Sequence, residues 1–417
     1  YSKKQQALVI QRIIRHSSFI LLNSYQLYTV PTKGLWSTLH QLFLLAERKK
    51  ISNTNINDPA YQTLTSVTVK HTYLQILLLA LADPYRMAQH HIGAVFTQLE
   101  IWSQLADLRY FTAQDDKRSL IIDLGSDMHP GLRVADDFTG SQNNWILDTS
   151  KLDYDDLAEH FAGKENQAID LTAELLRQLS LTWGVSSKRQ HERTAVQSTI
   201  KVAIGLNNTY FVLNGYNEPD WLSDDIESKP KGPVFSEESQ AAAHFEAHRV
   251  NSLLKADDVL GGLYSADKHD PPAESLSHHT DPDTTARSME KGIHSWDVVN
   301  ESDGGYCLLW DQNEAINVKV GEVVALRHEE ANSRYWSVAS IRWIKCLCNN
   351  AVQMGVKILA PNALPVSISK YTRMHQGPKA RAILLPAISA QNQPQTLIST
   401  ALGYRAGDQI LLEEASN

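Results

Sequence analysis

Residues 295–310 read SWDVVNESDGGYCLLW, and this stretch decides the fold. Two apolar runs rich in Val, Leu and Trp, 295–299 and 305–310, flank a cluster of Asn, Glu, Ser, Asp and Gly. That is the composition of two strands joined by a tight turn. Further runs of the same kind follow at 322–327, 335–345 and 352–359, each bounded by turn residues. Five short strands in succession predict a small antiparallel barrel or sandwich. Upstream, residues 198–214 are expected to add a strand, or a hairpin through Asn207 and Asn208, because Val202, Ala203, Ile204 and the run from Tyr210 to Leu213 favour extended backbone. Downstream, 382–385 and 409–412 predict two more strands around a proline-containing loop.

The N-terminal part has a different period. Leu8, Val9, Ile10, Ile13, Ile14 and Leu21 recur at helical spacing before Pro31. Trp36, Leu39, Leu42, Phe43 and Ala46 mark a second helix near 35–50, and a third covers 64–82. Asp83 followed by Pro84 predicts the start of a fourth helix, which carries Ile92, Val95, Phe96, Leu99, Trp102 and Leu105. Four helices on short connections predict a bundle or a helical-repeat-like module. Apolar runs at 120–124 and 145–147 among Gly, Pro, Asp and Asn predict a few strands, followed by helices at 153–162 and 171–183. The expected class is α+β. A helical interaction domain occupies 1–108, an intermediate α/β region 109–184, the barrel 185–365 and a β extension 366–417.

Net charge is −8, but its distribution is uneven. From Asn217 to Gly292 there are 16 acidic and 7 basic residues, a local balance of −9, so the rest of the chain sums to about +1. This stretch, rich in Pro, Ser, Asp and His, reads as a long mobile insertion at 216–292 with one amphipathic patch at 237–254. No basic stripe of the kind a nucleic-acid surface needs is present. The apolar run 73–82 is half a bilayer span and contains Gln75, so no transmembrane helix is expected. Three cysteines, Cys307, Cys346 and Cys348, fit a reducing, cytoplasmic setting. The start at Tyr1 carries no signal-peptide pattern and reads as trimmed.

Catalytic signatures are missing: there is no phosphate-binding glycine loop, nucleophile elbow or HExxH. His244 and His248 stand four apart around Glu246, a spacing that places two ligands on one helix face. Within the insertion they read as surface histidines, as do His278 and His279, so no metal is expected. Cys346 and Cys348 share a strand face but cannot close a metal site alone.

Two stretches remain. One is Lys188-Arg189-Gln190-His191-Glu192-Arg193; the other is Asn300-Glu301-Ser302-Asp303-Gly304-Gly305. Two arginines beside a barrel mouth can fork onto phosphate and onto a guanine O6/N7 edge, and their planes stack on purines. Asn300 and Ser302 can complete such a site with hydrogen bonds, while Gly304 and Gly305 allow a tight turn and close backbone approach. RxxxR followed by (D/N)xSxxG and an ordered succession of strands (Val320-Gly321-Glu322-Val323, Val338-Ala339-Ser340-Ile341-Arg342-Trp343, Gly355-Val356-Lys357-Ile358) resembles the bacterial PilZ domain. The resemblance covers about 110 residues, 187–215 and 295–365, and its second motif is the specific one.

The resemblance implies a six-stranded barrel that binds the second messenger cyclic di-GMP without turning it over. Lys188, Arg189 and Arg193 would hold guanine edges and phosphates, with Asn300, Ser302, Gly304 and Gly305 completing the pocket. The architecture, a helical module ahead of the barrel, leads to the expectation of an effector that passes ligand binding to an unidentified protein partner through the helical domain. The alternative is a ligand-independent scaffold with a degenerate barrel. Arg193 and Asn300 are 107 residues apart, far more than the family's usual few tens. Looping out the acidic insertion accounts for the excess at about 1 kcal/mol, since closure entropy grows only logarithmically with loop length.

Overall fold

The computed structural model describes residues 2–61, 64–112, 118–134, 143–162, 172–184, 194–217, 292–311, 316–328, 335–347, 351–371, 377–387, 394–400, 404 and 408–414. Its first third is helical: α1 (Lys3–Gln26), α2 (Leu35–Arg48), α3 (Val69–Leu81) and α4 (Gln89–Trp102). Helix α1 starts in a capping box, in which the Ser2 hydroxyl accepts from the Gln5 amide and the Gln5 side chain accepts from the Ser2 amide. Thr68 caps α3 the same way from one side, accepting from the His71 amide at 3.1 Å, so this helix begins later than residue 64. Asp83-Pro84 does not open the fourth helix as expected. Asp83 is left-handed at φ 55°, its carboxylate pairs with Arg86 at 2.9 Å, and only a 3-10 turn, Pro84–Arg86, follows.

Strands β1 (Asp107–Tyr110), β2 (Arg118–Asp123), β3 (Gly131–Val134) and β4 (Asn144–Asp148) form an antiparallel sheet in the order β1-β4-β2-β3. Helices α5 (Tyr154–Ala162) and α6 (Ala173–Trp183) follow. This sheet and these helices share one hydrophobic core with α1–α4, running from Ala7 to Trp183. Phe43 of α2 stacks on Tyr73 of α3 at 4.5 Å and meets Trp145 of β4 edge-on at 5.4 Å. The indole N–H of Trp183 donates to the Leu78 carbonyl at 2.9 Å.

A polar clamp joins α2 to the loop after β2. The Asp127 carboxylate accepts from the amides of Gly34 and Ser37, at 2.6 and 2.9 Å, and so caps α2 from about 90 residues away. Buried His40 sits between the Tyr73 hydroxyl at 2.6 Å and the Met128 carbonyl at 2.9 Å. A carbonyl can only accept, so Nε2 of His40 carries the proton and Nδ1 accepts from Tyr73.

The barrel is built from β5 (Thr194–Ile204), β6 (Ile293–Ser302), β7 (Gly305–Trp310), β8 (Val323–His328), β9 (Ser337–Cys346) and β10 (Val352–Ala360), closed in the order β10-β7-β6-β5-β8-β9. All neighbours are antiparallel. Alternating residues fill its interior, among them Ile200, Trp296, Leu308, Leu326, Ile341 and Met354. Close packing at Gly355 is compulsory, because a Cβ there would overlap the Trp343 indole.

The expected strand or hairpin over 198–214 is half right. Strand β5 stops at Ile204, and α7 (Gly205–Leu213) replaces the second arm. Gly205 at φ 86° turns the chain, and the Asn208 side chain donates to the Ile204 carbonyl at 2.8 Å, which uses the asparagine inside a helix rather than at a turn. Phe211 and Val212 then bury against Ala203, Ala325 and Trp336.

The C-terminal part forms a second open four-stranded sheet, from β11 (Leu364–Lys370), β12 (Ala380–Leu385), β13 (Thr396–Ser399) and β14 (Ile410–Glu414), in the order β13-β12-β11-β14. The sequence pattern identified β12 and β14 and missed β11 and β13. A cluster containing Val323, Val338, Ala360, Ile383 and Leu385, with Leu206 and Leu213 of α7 against it, joins this sheet to the barrel.

The helical part meets the barrel at one strand end. The Cys346 amide donates to the Tyr28 carbonyl at 2.8 Å, and Thr29 forms a parallel bridge with Cys346. Tyr28 packs against both hydrophobic cores, and its hydroxyl donates to the Met87 carbonyl at 2.7 Å.

Candidate functional site

The β6–β7 hairpin forms one rim of the barrel. Ser302 pairs with Gly305 across it, and the Ser302 hydroxyl donates to the Gly305 carbonyl at 3.3 Å. The turn is fastened to the next strand as well, since the Ile358 amide of β10 donates to the Gly304 carbonyl at 3.0 Å. Gly305 is buried against β10, where a Cβ would overlap the Val356 carbonyl oxygen. Glycine is required there by close backbone approach.

Asn300 lies opposite Ala195 of β5 on one side and Cys307 of β7 on the other. The ladder is irregular on both sides of it, between Val298 and Asn300 and between Ala195 and Ser198. Such bulges re-aim side chains at a barrel rim. Thr194, the residue after Arg193, pairs with Glu301. Lys188, Arg189 and Arg193 themselves lie outside the described residues, as do Cys348 and the histidines of the insertion, His244, His248, His278 and His279.

Two further residues define the mouth. The Tyr306 hydroxyl and His328 Nε2 are 3.0 Å apart, with their rings edge-on at 5.3 Å. Tyr306 is on β7 and His328 on β8, with β6 and β5 between them in the barrel order, so this bond crosses the interior. Burial, and then the charge of Glu301, push the Tyr306 phenol above its ordinary pKa and keep it a neutral hydrogen-bonding group. The Ser198 hydroxyl is buried nearby on β5 without a hydrogen-bond partner among the described residues. Sequence reasoning missed all three. The signal was there for Tyr306, which alternates with inward-facing Leu308 and Trp310.

The described rim therefore brings together the short polar residues Asn300 and Ser302, a glycine turn packed against β10 and a neutral phenol. Among the described residues no group of three His, Cys, Asp or Glu stands close enough to hold a metal. Among them, too, no helix is long and apolar enough to cross a membrane.

Residues 120–365 match the family model described as the middle PilZ domain of the cyclic-di-GMP receptor FimW. Residues 1–114 match the FimW N-terminal domain and 367–417 the FimW C-terminal beta-barrel domain. The cyclic-di-GMP receptor FimW of Pseudomonas aeruginosa is 29% identical over 97% of this chain, which spans 67% of that protein. No solved structure matches the chain. The matched middle domain begins at residue 120, and so takes in most of the β1–β4 sheet with α5 and α6. In the structure these elements pack with the N-terminal helices.

Proposed function

This chain belongs to the family defined by the FimW middle PilZ domain, and on that premise we propose that it is a non-catalytic cyclic di-GMP receptor whose ligand seats on the barrel rim. Arg189 and Arg193 bind guanine edges and phosphates, and Lys188 adds charge. Asn300 and Ser302 contribute hydrogen bonds, and the backbone at Gly304 and Gly305 lies against the ligand. The observation that supports this reading is the pairing of Thr194, which follows Arg193 in the sequence, with Glu301 of the Asn300–Gly305 stretch. The P. aeruginosa relative is named for the same ligand.

A route from rim to helices supports an effector role. Gly304 is bonded to β10, β10 pairs with β9 along its length, and the last residue of β9 is bonded to Tyr28. Ligand that orders the rim can bias how the helical part meets a protein partner, provided the two states differ in affinity.

Equilibrium dialysis with radiolabelled cyclic di-GMP tests the site. Asn300→Ala and Ser302→Ala should each weaken binding about tenfold, the worth of one good hydrogen bond to a charged ligand, while leaving the fold intact. Unchanged affinity in both would move the ligand off this rim.

A further inference from the structure

The apolar interior of the barrel ends in polar side chains at the end that carries the Asn300–Gly305 hairpin. Inward positions along β5 run through Ile204, Val202 and Ile200 to Ser198, whose hydroxyl is buried without a hydrogen-bond partner among the described residues. On β7 the inward series of Trp310 and Leu308 ends in Tyr306. On β8 the series of Val324 and Leu326 ends in His328, which pairs with Ile200. Glu301 of β6 is the cross-strand partner of Tyr306, and partners in register share a face, so its side chain stands on the same side of the sheet as the phenol. Its charge is felt there, because it adds to burial in raising the Tyr306 pKa. Tyr306 and His328 then meet across the mouth at 3.0 Å.

Glu301 stands in an unfavourable place for an anion. It lies between Asn300 and Ser302, the two residues that hydrogen-bond an anionic ligand in the proposed site. Among the described residues no ion pair or hydrogen bond compensates its carboxylate. The other charged groups on the neighbouring strands face away from the interior. Lys201 of β5 pairs with Arg327 of β8, whose guanidinium lies over the Trp336 ring at 4.6 Å. Asp297 of β6, Asp303 at the turn, Arg342 of β9 and Lys357 of β10 are exposed, as is Tyr335 just before β9. His294 sits at the opposite end of the barrel, edge-on to Trp310 at 5.0 Å. Glu329 and Glu330 follow His328 in the sequence and lie outside the described residues. Among the described residues, His328 is therefore the base that faces Tyr306 and Glu301.

We propose that His328 and Tyr306 are positioning residues that link ligand affinity to protons by countering the charge of Glu301. The proposal rests on the receptor reading above and adds a regulation of that same site. An imidazole is the side chain whose charge changes between about pH 5 and 8. Neutral His328 can accept the Tyr306 proton at Nε2, which leaves Glu301 to repel a ligand phosphate. Once one proton is taken up, His328 donates from both ring nitrogens. The Tyr306 oxygen then accepts from Nε2, and the Tyr306 proton turns towards the Glu301 carboxylate. The anion beneath Asn300 and Ser302 is countered, and an anionic ligand binds more tightly. Linkage fixes the sign: a ligand that prefers the protonated receptor takes up protons on binding, so its affinity rises as pH falls.

Isothermal titration of the full chain with cyclic di-GMP, at about pH 8, 7, 6 and 5.5 and about 0.05 M salt, tests this. The phosphodiesters of the ligand stay ionised throughout that range. The Kd should fall about three- to tenfold from the highest pH to the lowest, and by less at about 0.3 M salt. His328→Gln should bind like the parent at about pH 8 and lose the pH dependence. Glu301→Gln should bind at about pH 8 as tightly as the parent does at about pH 5.5, again without pH dependence. Tyr306→Phe keeps the ring, removes the relay and should flatten the profile. An affinity that does not change with pH overturns the proposal and leaves the receptor reading intact. So does a dependence that persists in His328→Gln or Glu301→Gln. A merely structural role for His328 would weaken His328→Gln equally at every pH with the parent's slope kept, which is the same overturning result. No binding by the parent at any pH overturns the receptor reading and this one with it.

Discussion

The amide of Cys346, the last residue of β9, donates to the carbonyl of Tyr28, just past the end of α1, at 2.8 Å. This bond and the Thr29–Cys346 bridge extend the barrel ladder into the helical part. Tyr28 holds the junction from both sides: its ring touches both cores and its hydroxyl donates to Met87. Tyr85 closes it, with its hydroxyl donating to the Thr29 carbonyl at 2.8 Å and its ring under the Lys345 ammonium at 5.7 Å.

Truncation at the junction should uncouple the two parts. Tyr28→Ala removes a packed aromatic ring, at a cost of about 3–5 kcal/mol by analogy with buried aromatic truncations and towards the lower end for a half-buried site. Calorimetry should show one transition for the parent chain and two for the variant. Tyr28→Phe leaves the Met87 carbonyl without its donor and should cost about 1 kcal/mol with a single transition retained.

Alkali acts on the same contact. Burial, with the nearby Cys346 thiol adding to it, raises the phenols of both Tyr28 and Tyr85 to about 12. A raised phenol pKa means that the unfolded chain ionises first, near its ordinary value of about 10. Stability from these groups is complete below that value and is lost as pH rises towards 12. Melting temperatures between pH 9 and pH 11.5 should fall steadily, and less steeply in Tyr28→Phe with Tyr85→Phe. Parallel curves for the parent and the double variant would exclude these phenols as the cause.

Acid acts elsewhere. Burial holds the His40 imidazole below its ordinary pKa, outweighing its bond to Met128 and the charges of Asp123 and Asp127. The unfolded chain therefore takes up this proton first, and stability falls as pH drops below about 6.5. Asp127 works in a lower window. The amides of Ser37 and Gly34 hold its carboxyl below the usual range, so its contribution is present above about pH 4 and is lost on further acidification. Urea titrations at about pH 7.5, 5.5, 4 and 2.5 should show both steps. Asp127→Asn should flatten the lower one and His40→Gln the upper one, apart from the share contributed by His71, whose pKa burial also lowers.

Much of this architecture was legible in the sequence, and the failures have physical causes. The barrel strands were readable because their inward positions alternate with polar ones, as in Tyr306, Leu308 and Trp310. Helices α1 to α4 were readable from their buried faces. Helix α7 was not, because Tyr210–Leu213 favours strand and the deciding residue is Gly205, whose positive φ turns the chain before Asn207 and Asn208. Asp83-Pro84 carries a helix-start pattern, but the carboxylate binds Arg86 instead of capping. The Asn300–Gly305 motif, legible in the sequence, stands on one rim of the barrel. Tyr306 and His328 were not identified, because their meeting depends on the closure of the barrel.

The hairpin makes its own prediction. Gly305→Ala forces a Cβ into the Val356 carbonyl, so β7 or β10 must shift. The variant should lose about 1–3 kcal/mol of stability and cyclic di-GMP binding with it, while Ser302→Ala, which removes only one long hydrogen bond, should lose about 1 kcal/mol or less. Chemical denaturation of the two variants side by side checks the order.

The central claim is a receptor site at the rim where Thr194 meets Glu301. Isothermal titration of the full chain with cyclic di-GMP at about 0.15 M salt tests it most directly, with GTP and cyclic di-AMP as controls. The account predicts micromolar or tighter binding, weaker at higher salt. Arg189→Ala or Arg193→Ala should reduce affinity about tenfold to a hundredfold without a change in melting temperature, because each removes charge-assisted bonds worth about 1.5–3 kcal/mol. No heat and no thermal shift at saturating ligand, or full affinity in both arginine variants, would contradict it.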